Sequence, residues 1–102
     1  MRKVTYASTV LYTGDDICRS LFDYASALAQ VKSAATIRIP GRTIYGELGE
    51  FELLLGTATQ LASEPSDREW AEVIDDEVVE RLIEATFIVA PPLEALDLGE
   101  GS

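Results

Sequence analysis

Carboxylates are the most plentiful reactive side chains in this sequence, and imidazole is missing: 102 residues carry 18 Asp and Glu, one Cys and no His. Without histidine, Ser-His-Asp and Cys-His relays and imidazole zinc sites are ruled out. Cys18 alone makes neither a disulfide within the chain nor a thiolate cluster, and a reduced, packed thiol is expected of it. Glu50 and Glu52 would share one face of a strand. Paired acids transfer protons when buried at a fixed separation, but these two alternate with Phe51 and Leu53 as the solvated face of a strand does. Asp75-Asp76-Glu77 lacks the spacing of a calcium loop and reads as a helix start. Glycines at 14, 41, 46, 49 and 56 match neither the P-loop nor the dinucleotide fingerprint. The residues therefore suggest no catalytic, metal-binding or cofactor-binding set, and a non-enzyme is favoured over an enzyme.

Candidates for binding are of another kind. Tyr45 and Trp70 could anchor an interface, because such rings bury large areas and keep a polar handle. Leu54 interrupts an otherwise charged strand face, so it is either a scattered exposed hydrophobe or covered by another element. Asp75, Asp76 and Glu80 belong to the densest acidic stretch: positions 69–84 hold seven carboxylates and one basic residue, Arg81.

The elements that must position these residues can be read from periodicity. Lys3–Tyr12 is rich in Val, Thr and Tyr and reads as β, either one bent strand or two short ones around Ala7-Ser8. Ile17, Leu21, Tyr24 and Leu28 recur at spacings of four, three and four, which predicts a helix over about 16–31 that starts at Thr13-Gly14-Asp15-Asp16. Ala35–Ile39 alternates as a strand that Pro40-Gly41 ends, and Thr43-Ile44-Tyr45 could form a short strand. Glu50–Gly56 is the next strong strand. Antiparallel pairing of these two strands would set Ile37 against Leu53, Ile39 against Phe51 and Arg38 against Glu52. Ser66-Asp67-Arg68-Glu69 has capping-box spacing and predicts a C-terminal helical segment over about 67–86, as one kinked helix or two. In a helix over 76–86, Glu77, Arg81 and Glu84 would share one side, and Val79, Leu82 and Ile83 would face elsewhere.

The expected fold is α+β: a small antiparallel or mixed β-sheet packed by the N-terminal helix and the C-terminal helical segment. A chain of 102 residues suits a single domain, assigned to 1–92, with a flexible tail over 93–102. No stretch has the eighteen or more apolar residues of a membrane span, and no secretory signal is visible, which predicts a cytoplasmic protein. Charge is split. Residues 1–46 carry six basic and three acidic side chains, whereas residues 47–102 carry two and fifteen. A net charge of −10 repels phosphates and anionic membranes, so neither nucleic acid nor membrane is an expected partner. The composition points to a protein-interaction or assembly module, with a homo-oligomer (a dimer) or a basic protein as partner. The alternative is a small-molecule-binding domain or auxiliary enzyme subunit, using a pocket between the sheet and the C-terminal helices lined by Tyr45 and Trp70.

Overall fold

Val4 and Leu11 are the inward-facing centres of two short strands, β1 (Arg2–Tyr6) and β2 (Thr9–Thr13), joined by the Ala7-Ser8 turn. The structure, a computed structural model, describes residues 1–90. The β-rich N-terminal run is thus two strands, paired antiparallel with Tyr6 opposite Thr9. Ala7 takes a φ of +54°, the left-handed conformation that a two-residue hairpin turn demands. Helix α1 (Asp15–Gln30) follows, then β3 (Ala35–Arg42), β4 (Leu48–Leu55), β5 (Leu61–Pro65) and helix α2 (Asp76–Val89). The strands form one antiparallel sheet in the order β4-β3-β2-β1-β5, flanked by the two helices. The assignment of a tail to residues 93–102 lies outside the described residues.

The β3–β4 register is the one that alternation predicts: Ile37 opposes Leu53, Ile39 opposes Phe51 and Arg38 opposes Glu52. Arg38 Nε lies 3.4 Å from Glu52 Oε2 on the solvent face. The expectation that Pro40-Gly41 ends the strand is not met, since β3 continues to Arg42. Proline cannot donate to a ladder, but β2 meets β3 only at Tyr12↔Arg42, so this side of β3 has almost no ladder to supply. The Thr13 hydroxyl donates to the Pro40 carbonyl there. Thr43–Tyr45 is no strand either. It belongs to the β3–β4 turn, where Thr43 Oγ1 accepts from the Tyr45 and Glu47 amides.

The sheet coils back on itself. In a flat ladder Tyr6 and Leu54 would lie roughly 30 Å apart, because they sit at opposite ends of the strand rows. Instead, the Tyr6 hydroxyl donates to the Leu54 carbonyl at 2.6 Å and accepts from the Leu54 amide at 3.1 Å. The far end of the β3–β4 arm therefore returns to the β1–β2 turn, and five residues suffice to lead from β4 into β5. The coil encloses one core, in which Val4, Leu11, Ile39, Leu53 and Leu55 meet Ile17, Leu21 and Leu28 of α1 and Val78 and Leu82 of α2.

Helix α1 ends in a Schellman motif. The Ser33 amide bonds the Leu28 carbonyl, the Lys32 amide bonds that of Ala29, and Lys32 sits at a φ of +54°. Lysine pays a steric cost in this conformation that glycine does not. Lys32→Gly is expected to raise the unfolding free energy by about 0.5–1 kcal/mol, whereas Lys32→Ala, which keeps the Cβ, gives no gain. Urea unfolding of the two variants checks this, and equal midpoints would refute it.

The largest departure from expectation is over 66–75. The capping-box spacing predicts a helix, but this segment is an extended strap, and regular helix begins only at Asp76. The Ser66 hydroxyl accepts from the Arg68 amide in a local turn. Contacts from distant parts of the chain then outweigh the helical option. Trp70 meets Tyr12 edge-on with ring centroids 5.1 Å apart, and Arg42 donates from Nε to the Ala71 carbonyl and from Nη1 to the Gly46 carbonyl. Gly46, at a φ of +84°, lies against the indole with no room for a Cβ.

Candidate functional site

Strap and helix start are tied down before any surface is presented. Gly14 is the N-cap of α1 and has no side chain to offer its free amides. Glu72 supplies the cap from the strap: one carboxylate oxygen accepts from the Asp15 amide at 2.9 Å, and the other lies 3.0 Å from the Met1 ammonium. Asp15 closes the triangle at 2.7 Å from that ammonium. The Asp15 hydrogen bond raises the Met1 ammonium above the usual α-amino range, against partial burial that acts the other way, and the ammonium in turn holds Asp15 below the usual carboxylate range. These groups are engaged in fastening the strap.

Asp75 is engaged as well. Its side chain accepts from the Val78 amide at 3.2 Å as the N-cap of α2, the role that its position before an apolar run suggests. Helix α2 then carries two opposed stripes. Val78, Leu82, Ala85 and Val89 face the core. Asp76, Glu80, Ile83 and Phe87, also spaced four, three and four, fall on the outer side and are all exposed. Ile83 faces away from Glu77, Arg81 and Glu84, as expected, and stands in line with Asp76 and Glu80. Phe87 and Ile88 are 51% and 81% exposed, so the outer side is acidic in its first half and apolar in its second.

The remaining candidates scatter. Of the two alternatives for Leu54 the structure has the exposed hydrophobe, with Tyr6 and Thr59 bonded to its backbone groups. Tyr45 is 80% exposed at the β3–β4 turn. Trp70 is half-buried in the strap, with the Arg68 guanidinium 5.1 Å from its ring centre and 5.7 Å from that of Tyr12. It borders an open groove with Lys3, Tyr12 and residues 64–69, and Tyr45 is not part of that lining. Between sheet and C-terminal helix the structure has not the expected pocket lined by Tyr45 and Trp70 but an open groove of about 470 Å³, which α2 and the β3–β4 arm border with Ile37, Arg38, Arg81 and Leu82. The spacing of Val78, Leu82 and Ala85 against Ile37 was the available signal for it, but which elements face each other is not written in that spacing.

Among the described residues no cluster of three or more His, Cys, Asp or Glu side chains is placed to hold a metal ion, and no helix is long and apolar enough to cross a membrane. Compared with known proteins, the chain matches no family model, and no curated protein or solved structure is significantly similar to it.

Proposed function

We propose that this chain is a protein-interaction module, without enzymatic chemistry of its own, that receives a basic protein partner on the outer side of α2. The observation that supports the reading best is the exposed stripe of Asp76, Glu80, Ile83 and Phe87. Carboxylates at one end of it would steer a cationic surface in, and the apolar end would hold it once docked. Steering of this kind weakens as salt shortens the screening length to about 8 Å at physiological ionic strength.

The test separates the two halves of the stripe. In the Asp76→Asn/Glu80→Gln variant the association rate with a partner captured from the host is expected to fall severalfold and lose most of its salt dependence. The Ile83→Ser/Phe87→Ser variant is expected to dissociate faster at an unchanged association rate. Stopped-flow or surface binding kinetics across ionic strength read both. Unchanged kinetics in both variants would remove the proposal. Dimers seen by light scattering that vanish in the second variant would instead make a second copy of the chain the occupant.

A further inference from the structure

From the groove between α2 and the β3–β4 arm we infer a second site, which binds a small carboxylate with an apolar body. Its floor is apolar: Val78 and Leu82 are buried, and Ile37 and Ala85 pack beside them at the edge of the core. Its charged lining is Arg38, Arg81 and the Glu52 carboxylate, a net of one positive charge. Arg38 and Arg81 both line the groove with exposed side chains, in a protein that holds only eight basic residues against eighteen acidic ones. Arg38 is shared with Glu52, while Arg81 makes no ion pair within 4 Å among the described residues, even though Glu77 and Glu84 lie one turn away on the same helix. Tyr24, 92% buried, adds a phenol to the lining.

Two guanidinium groups and a phenol around an apolar floor match one ligand chemistry. A carboxylate accepts from a guanidinium fork and a hydroxyl at once, and a chain or ring of carbons covers the floor. The groove's volume of about 470 Å³ falls within the range of small-molecule sites. The inference is independent of the outer stripe of α2, because the groove opens on the opposite side of that helix, between it and the sheet.

Octanoate and octylammonium form a decisive pair of probes, since they share an apolar body and differ in the sign of the head. The net charge of −10 favours octylammonium, whereas the local chemistry of the groove favours octanoate. Titration of the intact chain to about 5 mM, followed by amide chemical shifts, is expected to show saturable octanoate binding at Ile37, Tyr24 and Leu82, with octylammonium at least about tenfold weaker there. Arg81→Gln, a change at an exposed position, is expected to weaken octanoate about tenfold with the unfolding midpoint unchanged, and Tyr24→Phe to weaken it about threefold. Absence of saturable shifts at the groove, equal or tighter binding of octylammonium, or unchanged octanoate affinity in Arg81→Gln would each overturn the inference.

Discussion

Leu21→Asp is expected to abolish cooperative folding near neutral pH. Leu21 is fully buried at the middle of the inward face of α1, inside the cluster that joins both helices to the sheet. An ionised carboxylate placed there finds no partner, and an unpaired buried charge costs several kcal/mol, about as much as a domain of this size has in reserve. Leu21→Ala is the graded companion. It leaves a cavity and is expected to cost about 3 kcal/mol, within the range found for buried leucines. Circular dichroism through a urea titration separates the outcomes: no transition for Asp, a transition shifted to lower urea with the same slope for Ala. A Leu21→Asp protein that unfolds as cooperatively as wild type would mean that α1 does not seal the core.

Gly14→Ala is expected to be the most damaging single-methyl addition. A Cβ on Gly14 would overlap the carbonyl oxygen of Val73, a backbone atom that cannot rotate aside, so the strap must move away from the start of α1. That shift would break the Glu72 cap on the Asp15 amide and loosen the Glu72–Met1 ion pair. Overpacking together with a lost cap predicts a loss of about 2–4 kcal/mol. Gly49→Ala supplies the control, because a Cβ there meets no atom within 4 Å. It is expected to leave stability unchanged or raise it by up to about 0.5 kcal/mol, since alanine has less freedom to lose from the unfolded chain. Trp70 emission adds a second readout: the strap carries this residue, so Gly14→Ala is expected to shift it toward that of an exposed indole in the native state. Equal stability in the two alanine variants would refute the close approach of strap and helix.

Where structure followed the sequence, the deciding interactions were local in character. Helix α1 follows from the recurrence of Ile17, Leu21, Tyr24 and Leu28, because a helix with that spacing has one face to bury. The β3–β4 register follows from a period of two on both strands, reinforced by Arg38 opposite Glu52, since a slip of one residue would set Ile37 and Ile39 out of phase with Leu53 and Phe51. Asp75 as a helix cap was legible for the same reason: a cap bonds an amide three residues away.

What only the tertiary structure decided depends on groups far apart in the chain. The strap over 66–75 has the spacing of a capped helix start, but Tyr12, Arg42 and the exposed amide of Asp15 offer Trp70, Ala71 and Glu72 better partners than a helix would. Local propensity is worth tenths of a kcal/mol per residue, and a ring packed edge-on against Tyr12 together with charge-assisted hydrogen bonds outweighs it. The coil of the sheet is likewise set by Tyr6 and Leu54, 48 residues apart, meeting across it. That coil then determines which side of α2 faces the core, leaving Ile83 and Phe87 in line with Asp76 and Glu80, and brings Arg81 over the same groove as Arg38. Periodicity in a sequence states that a helix has an apolar face and how wide it is. Which of its neighbouring side chains stay uncovered is a property of the surface that the helix lands on, and that surface is assembled from five strands whose order and curvature no local pattern contains.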